Sequence, residues 1–198
     1  RRFMHDTKLA VYNPKTHKGM LRNLVLRRGV HTEEQMICFI VQARKRELEP
    51  LFQHFIRFGQ RPEVTSLLVV EHFGLNDKPE TPVLASSAPA IAPHKKSAVM
   101  HVLKGEPFIR ERLIDLTFDL SSFSFFQTNT LAAEKMYQII AKFADLSGKE
   151  MVLDCYCGIG SIGQFLSRFA QKVVGIESNA SAVEDALRSA GKNKIGNI

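Results

Sequence analysis

The sequence predicts an α/β protein, with a small α+β domain over residues 1–119 followed by the first part of a doubly wound parallel sheet over residues 120–198. Two observations predict this class. Apolar segments over residues 20–75 follow the order strand, strand, helix, strand, which is typical of a small α+β domain. Residues 151–191 alternate strand, glycine-rich loop, helix, strand and helix, which is the repeating unit of a doubly wound sheet.

Alternating and β-branched apolar residues mark the strands of the first domain. LRNLVLRRG (21–29) and MICFIVQA (36–43) predict a pair of strands joined by the turn VHTEEQ. LEPLFQHFIRFGQ (48–60) has leucine and phenylalanine at helical spacing between a proline and a glycine, which predicts an amphipathic helix with its aromatic residues in the core. VTSLLVVEHF (64–73) predicts the next strand.

The end of the first domain is predicted to be a β-hairpin. AVMHVLKG (98–105) and RERLIDLTFDL (110–120) alternate like two strands around a Gly-Glu-Pro turn, so we place the domain boundary near Asp119. Residues 76–97 are rich in Pro, Ala, Ser and Lys and have no periodicity. This composition predicts a loop or insertion.

The positive charge of the chain is concentrated near its start. Residues 1–60 contain twelve Lys and Arg against five Asp and Glu, a surplus of seven that equals the net charge of +7 of the whole chain. Clusters of basic residues suit contacts with the phosphates of a nucleic acid. A solvated basic face is the alternative, and the sequence leaves it open. The basic residues concerned are Arg22, Arg27, Arg28, Arg44, Lys45 and Arg46.

Cysteine usage and hydropathy restrict the class further. Cys38, Cys155 and Cys157 are too few and too unevenly spaced for a disulfide framework, which favours the cytoplasm. No second cysteine pair or HxxxH motif accompanies them, so we expect no metal site. No apolar run approaches the roughly 20 residues of a membrane span, so we expect no membrane partner. The chain has no initiator methionine and stops where another strand should follow, so we expect a soluble fragment of a longer protein.

The second domain is predicted to begin with a polar loop and a helix. The helix starts at Thr130 and ends before Gly148. Its apolar positions are Leu131, Met136, Ile139, Ile140 and Phe143.

The segment VLDCYCGIGSIG (152–163) carries the chemistry. Its glycines let backbone amides approach a ligand, and they also satisfy the GxGxxG pattern of dinucleotide-binding folds. A polar step from Asp154 to Cys157 separates the strand from the first glycine, unlike the dinucleotide pattern. Asp154 and Glu177 follow two successive strands, and carboxylates there suit the sulfonium and ammonium of S-adenosylmethionine. We therefore favour S-adenosylmethionine over a nicotinamide dinucleotide.

Several motifs occur together in the order seen in a known family. The segments FFQTN (125–129), VLDCYCGIGSIG, VVGIESNASAVEDA (173–186) and NKIGN (193–197) resemble the bacterial RNA (uracil-5-)-methyltransferases. The upstream segments DTKLAVYNPKTHKGMLRNLVLRRG and GEPFIRERL resemble the central domain of that family. The resemblance implies a Rossmann-like S-adenosylmethionine-dependent methyltransferase domain of the seven-stranded type, truncated here. It also implies that an N-terminal domain and a C-terminal catalytic part lie outside this chain.

The resemblance implies roles for individual residues. Gln127 reaches the cofactor from the preceding segment, Tyr156 packs against it, and Glu177 accepts hydrogen bonds from its ribose hydroxyls. A cysteine thiolate adds to C6 of uracil so that C5 takes the methyl group. That cysteine is expected beyond Ile198, so no catalytic residue is expected in this chain, and Cys157 is expected to be a small buried thiol. The expected cofactor-binding residues are Gln127, Asp154, Tyr156, Gly158, Gly160, Ser161 and Glu177.

The substrate expected from the resemblance is RNA, with 23S ribosomal RNA favoured over transfer RNA, and the protein is expected to be a monomer. Two alternatives stay open. One is a methyltransferase that acts on another nucleic acid or on protein. The other is an RNA-binding module that keeps the cofactor fold without catalysis.

Overall fold

The computed structural model describes residues 2–43, 45–72, 83–84 and 98–198. Two compact units make up the chain, residues 1–28 with 33–109 and residues 29–32 with 110–198. The break after Ile109 comes before the predicted boundary near Asp119, because the strand that contains Asp119 pairs inside the second unit.

A five-stranded mixed sheet forms the first unit, in the order β1-β2-β3-β5-β4. The antiparallel pair β1 (Leu21–Arg28) and β2 (Gln35–Val41) confirms the first predicted strand pair. β2 runs parallel to β3 (Val64–Glu71). β5 (Val99–Lys104) lies antiparallel to β3 and parallel to the two-residue β4 (Val83–Leu84).

Helices α1 (Arg2–Thr7), α2 (Lys45–Leu48) and α3 (Phe52–Gly59) complete the first unit. The predicted helix over residues 48–60 is confirmed as helical, but a 3-10 turn at Glu49–Leu51 separates α2 from α3. Pro50 lies in this turn, and proline has no N–H to donate to an α-helical bond. The connection from β2 to β3 therefore contains the helix that the sequence predicts.

The core of the first unit lies between α3 and the sheet. Phe55 is fully buried, and its ring centroid lies 4.8 Å from that of Phe39 and 5.2 Å from that of Phe3. Such packed aromatic pairs add to the stabilisation from apolar burial. The helix aromatics are core residues, as predicted. The buried members of this cluster are Ile37, Phe39, Val41, Ala43, Leu48, Phe55, Val64, Leu67 and Val69.

The predicted hairpin between residues 98–105 and 110–120 is wrong. β5 belongs to the five-stranded sheet, and the second segment forms a hairpin of its own from β6 (Phe108–Leu113) and β7 (Leu116–Ser121). The turn between β6 and β7 places Ile114 at φ +59°. Hairpin turns with this conformation usually contain glycine or asparagine, and a β-branched residue rarely adopts it. The sequence therefore lacks the usual signal for a turn at this position.

The predicted loop over residues 76–97 lies mostly outside the described residues. The exception is β4, where Val83 and Leu84 pair with Val99 and Met100. This two-residue strand corrects the prediction of a segment without regular structure.

The second unit is a β-α-β-α arrangement preceded by a helix. It consists of α4 (Thr130–Ala144), β8 (Met151–Cys155), α5 (Ser161–Leu166) with a 3-10 turn (Ser167–Phe169), β9 (Lys172–Ile176) and α6 (Ala180–Lys192). β8 and β9 are parallel and their ends are level, with Cys155 opposite Ile176. These elements confirm the predicted α/β class. No helix in the described part of the chain is long and apolar enough to cross a membrane.

Helix α4 forms where predicted, but most of its apolar residues lie outside its buried face. Asn129 caps its first turn by accepting a hydrogen bond from the Ala132 N–H at 3.0 Å. Its buried residues are Thr130, Ala133 and Tyr137, whereas Phe143 is 83% exposed. The apolar pattern identifies the helix, but it does not identify the face that packs against α5.

A buried carboxylate connects the first residues of the second unit with β6 and α4. Glu111 on β6 is almost fully buried and accepts the backbone N–H groups of Val30 at 2.5 Å, His31 at 3.1 Å and Arg112 at 2.8 Å. It also accepts the Thr130 hydroxyl at 3.0 Å. The side chain is therefore satisfied by four donors where it is buried, as buried polar groups generally are.

Candidate functional site

The loop after β8 reverses the chain through residues in the left-handed region. Tyr156, Gly158 and Gly160 have φ values of +59°, +57° and +71°. A Cβ at Gly158 would meet no atom within 4 Å, whereas one at Gly160 would lie 3.3 Å from Cβ of Ala186. Gly158 therefore faces open space, as expected of a glycine that a ligand approaches, whereas a side chain at Gly160 would come close to α6.

Asp154 connects β8 with the first turn of α5. Its Oδ2 accepts the backbone N–H of Gly163 at 2.9 Å, so the carboxylate satisfies an amide at the start of a helix. The side chain is half-buried, and desolvation raises the pKa of Asp154 despite this hydrogen bond. A Cβ at Gly163 would lie 3.0 Å from the same oxygen, which explains the third glycine of the motif.

Glu177 follows β9 and holds the glycine loop directly. Its Oε2 accepts the Gly158 N–H at 3.0 Å, and its Oε1 accepts the N–H of Asn179 at 2.8 Å. The hydrogen bond from Asn179, followed by that from Gly158, lowers the pKa of Glu177. The two motifs predicted to share a site are therefore in contact, because parallel pairing brings the ends of β8 and β9 to the same edge.

Tyr156 and Ser161 have different surroundings. The ring of Tyr156 is 92% exposed at the outer side of the loop. The Oγ of Ser161 instead lies 2.7 Å from the hydroxyl of Tyr137, a fully buried residue of α4 whose pKa is raised by desolvation. Sequence reasoning missed Tyr137. Its spacing of four from Ala133 places both on the buried face of the helix and is the signal that identifies it.

Gln127 lies between β7 and α4 and is half-buried. The preceding Phe126 is buried, with its ring centroid 5.8 Å from that of Phe118 on β7, while Phe125 is 72% exposed. Hydrogen bonds among the described residues do not join Gln127 to the glycine loop. Its predicted contact with a cofactor stays a prediction.

Cys157 has the surroundings of a structural thiol. Its Sγ donates a weak hydrogen bond to the carbonyl of Gly158 at 3.8 Å, and a Cβ at Gly175 would come within 2.8 Å of the sulfur. Desolvation raises the pKa of Cys157, and the negative charges of Asp154 and Glu177 raise it further. Because the thiolate is the reactive form of cysteine, these surroundings disfavour a nucleophile.

A cavity of about 300 Å³ lies between the loop, β9 and α6. Mostly apolar side chains line it, so we interpret it as a gap in helix–sheet packing and not as the seat of a charged ligand. The lining residues are Asp154, Cys157, Gly160, Lys172, Val173, Val174, Gly175, Val183, Ala186, Leu187 and Ile198.

The basic residues predicted to contact RNA differ in their accessibility. Arg22 donates to the side chain of Gln42 at 2.8 Å, and its guanidinium lies 4.4 Å from the ring centre of Tyr12. Burial lowers the pKa of Arg27.

Of the other basic residues, exposed Arg28 pairs with Glu33, Arg46 is exposed on α2, and Lys45 begins that helix. Arg44 lies outside the described residues. Arg28 and Arg46 are thus the best exposed of the predicted phosphate contacts whose side chains are described.

β8 and β9 are parallel, a glycine loop lies between them, and the acid after β9 holds that loop. These features define the class of this protein as a Rossmann-like α/β fold. The family model of tRNA (uracil-5-)-methyltransferase matches residues 97–198. The chain belongs to this family.

Relatives match almost the whole chain. An uncharacterized RNA methyltransferase of Staphylococcus epidermidis is 31% identical over 195 residues, which cover 98% of this chain and 39% of the relative. One from Staphylococcus aureus strain COL is 33% identical over 199 residues, with the same two coverages. The chain thus spans about two fifths of the length of the curated relatives that it matches.

A solved structure has the same fold over the same range. The tRNA (uracil-54, C5)-methyltransferase of Pyrococcus abyssi, solved in complex with S-adenosyl-L-homocysteine, matches with a TM-score of 0.68 and 27% identity. The match covers 98% of this chain and 42% of the other. It therefore extends over both units.

Proposed function

We propose that this chain is part of an enzyme that transfers a methyl group from S-adenosylmethionine to C5 of a uridine in RNA. The observation that carries the proposal is the hydrogen bond from Gly158 N–H to Glu177, within a chain of the uracil-5-methyltransferase family. This hydrogen bond connects the glycine loop, whose backbone a ligand can approach, with an acid at the position that binds a ribose in related folds.

The residues around the loop suit S-adenosylmethionine. When bound, this cofactor supplies an electrophilic methyl group on a sulfonium. The lowered pKa of Glu177 keeps its carboxylate ionised at neutral pH, with lone pairs left for ribose hydroxyls. Gly158 faces open space, and the exposed ring of Tyr156 offers an apolar surface. Gln127, Asp154, Gly160 and Ser161 complete the proposed set, with Ser161 acting through its bond to Tyr137.

The proposed substrate is ribosomal RNA. The resemblance of FFQTN and the first unit to ribosomal RNA enzymes supports this substrate. The similar protein from Pyrococcus abyssi is instead named as a methyltransferase of transfer RNA. Exposed Arg28 and Arg46 would contact phosphates, whose recognition depends little on sequence. We also propose a monomer in the cytoplasm. The cysteines are free thiols, which supports a reducing compartment.

The proposed reaction needs a nucleophile from another part of the protein. A cysteine thiolate forms a bond to C6 of uracil, and C5 then takes the methyl group. A base removes the proton from C5, and the bond between C6 and sulfur breaks to restore the ring and the thiolate. Cys157 does not suit this role because its pKa is raised.

Calorimetry with S-adenosylhomocysteine on the full-length protein tests cofactor use. We expect Glu177→Ala to weaken binding by about tenfold or more, because a charged hydrogen-bond partner is lost. Glu150→Gln is the matched control, since Glu150 also accepts backbone N–H groups but precedes β8 at its opposite end. Equal binding by wild type and Glu177→Ala would contradict the proposed role of Glu177.

Release of tritium from RNA labelled at C5 of uridine tests the reaction. Methylation at C5 displaces that hydrogen, so the full-length protein should release tritium from 23S ribosomal RNA only when S-adenosylmethionine is added. Release from transfer RNA alone would identify the other substrate. Methyl transfer to RNA without tritium release would exclude C5 of uridine.

A further inference from the structure

Gln164 on α5 is a polar residue with no exposed surface. We infer that it is a positioning residue that holds the glycine loop and the segment containing Gln127 in fixed relation to each other. The inference rests on the proposed function, because both segments are proposed to contact S-adenosylmethionine. No substrate or cofactor contact is assigned to Gln164 itself.

All the hydrogen-bonding capacity of the Gln164 carboxamide is used inside the protein. Its Nε2 donates to the carbonyl of Ile159 at 3.2 Å and to that of Ala186 on α6 at 3.3 Å. Its Oε1 accepts the hydroxyl of Ser189 and the Nδ2 of Asn193, both at 3.1 Å. A carboxamide has two donor hydrogens and two acceptor lone pairs, so this set is complete.

The bond to Ile159 acts on the loop itself. Ile159 precedes Gly160, whose left-handed conformation turns the chain into α5. The backbone N–H of Gln164 also donates to the carbonyl of Gly160 at 2.8 Å. The side-chain Nε2 of Gln164 lies close to the same glycine, 3.4 Å from where a Cβ at Gly160 would be. Gln164 therefore fixes both peptide groups at the turn.

Asn193 carries the connection to β7. Its Oδ1 accepts the N–H of Thr117 at 2.9 Å and its Nδ2 donates to the carbonyl of the same residue at 3.1 Å. This pair of bonds copies the pairing of a neighbouring strand. Since Nδ2 also donates to Gln164, one network joins the glycine loop, α6 and the backbone of β7.

The path from β7 to Gln127 is short and packed. The ring centroids of Phe118 on β7 and Phe126 lie 5.8 Å apart. This contact holds Phe126, the residue before Gln127, against the strand. The Ser124 N–H donates to Ser121 Oγ at 3.1 Å and closes the turn between them. A shift of β7 would therefore move Gln127 relative to Gly160.

An apolar side chain at position 164 would remove four hydrogen bonds at once, two of them fully buried. The carbonyls of Ile159 and Ala186 would lose the Nε2 donor, whereas Ser189 and Asn193 would keep their bonds to the carbonyl of Thr117. Buried polar groups that lose a partner are costly unless they find a new one, so the loop and β7 would rearrange. The expected effect falls on cofactor affinity, because both proposed contacts move before any reaction occurs. Methyl transfer from the bound cofactor would be much less affected.

The test uses the full-length protein with Gln164→Met. We expect binding of S-adenosylhomocysteine to weaken by about tenfold or more, since several buried hydrogen bonds are lost. The KM for S-adenosylmethionine should rise in parallel while kcat changes by less than about twofold. All measurements are made well below the melting temperature of each variant.

Ser167→Ala, in the 3-10 turn directly after α5, is the matched control. The buried Ser167 hydroxyl donates to the Gln164 carbonyl at 2.7 Å, so its removal weakens α5 without touching the carboxamide network. We expect Ser167→Ala to lower the melting temperature and to leave cofactor affinity unchanged. Equal losses of affinity in both variants, or wild-type affinity in Gln164→Met, would overturn the inference.

Ser189→Ala keeps the test decisive if Gln164→Met does not fold. It removes one of the four bonds, so affinity should fall by about two- to fivefold. Unchanged affinity in that variant would overturn the inference while leaving the proposed function intact. Failure of the wild type to bind S-adenosylhomocysteine would overturn both.

Discussion

The hydroxyl of Tyr137 on α4 lies 2.7 Å from Oγ of Ser161, the first residue of α5. Gly160 precedes Ser161 and offers no side chain to cap the helix. The hydrogen bond between the two hydroxyls therefore fixes the start of the helix that follows the glycine loop, and it occupies the Ser161 hydroxyl that was predicted to contact a cofactor.

Tyr137→Phe and Ser161→Ala should each lower the free energy of unfolding by about 1–2 kcal/mol, because each removes the partly buried hydrogen bond between the two hydroxyls. The double variant should cost about as much as either single one, since both remove the same bond. Chemical denaturation of the three variants measures this coupling. Additive losses would show that the two hydroxyls act independently.

Gly163→Ala and Gly191→Ala make the same chemical change with opposite expected effects. A Cβ at Gly163 would lie 3.0 Å from Asp154 Oδ2 and 3.1 Å from Val173 Cγ1, so we expect a loss of about 1–3 kcal/mol from overpacking. A Cβ at Gly191 on α6 meets nothing within 4 Å, so alanine there should add up to about 1 kcal/mol through helix propensity. Thermal unfolding compares the two, and a shift of the same sign in both would contradict this account.

Glu150→Gln should destabilise the protein at neutral pH but not in strong acid. Hydrogen bonds from the Ser147 hydroxyl and backbone N–H lower the pKa of Glu150 from 4.5 to about 2. A lowered pKa stabilises the folded state above pH 4.5, and this contribution is lost as the pH falls towards 2. The melting temperatures of wild type and variant should therefore converge over that range. A constant difference across it would exclude this linkage.

Cys157 should react more slowly with iodoacetamide than the exposed Cys155 at neutral pH. Burial and the charges of Asp154 and Glu177 raise the pKa of Cys157, which reduces its thiolate fraction. Asp154→Asn removes one of these charges and keeps an oxygen to accept the Gly163 N–H, so it should speed labelling of Cys157. Mass spectrometry of the labelled peptides follows both sites. Slower or unchanged labelling in Asp154→Asn would contradict the electrostatic part of this account.

Local patterns were sufficient for most of the strands and helices. β1, β2 and β3 follow apolar runs bounded by turns, and α3 follows phenylalanine at helical spacing. The hairpin of β6 and β7 was missed because its turn contains Ile114 in a left-handed conformation. Such a conformation is stabilised by the surrounding tertiary structure. The residue types in the segment do not predict it.

Burial of individual side chains was harder to predict than the elements themselves. Glu111 lies in a strand with an alternating pattern, and the sequence does not indicate that its carboxylate is buried. It accepts hydrogen bonds from the backbone N–H groups of Val30, His31 and Arg112. The apolar positions that identify α4 also do not predict its buried face, because Leu131 and Phe143 are exposed in the described structure.

The glycine loop and Glu177 were determined by the sequence, because glycine placement and strand ends are local properties, and parallel pairing then brings the two together. The partners of Gln164 were decided only by the tertiary structure. Its carboxamide meets Ile159, Ala186, Ser189 and Asn193, which converge once α5 packs against α6. Hydrogen bonds between distant segments depend on angstrom-level register, and no spacing in the chain encodes that register by itself.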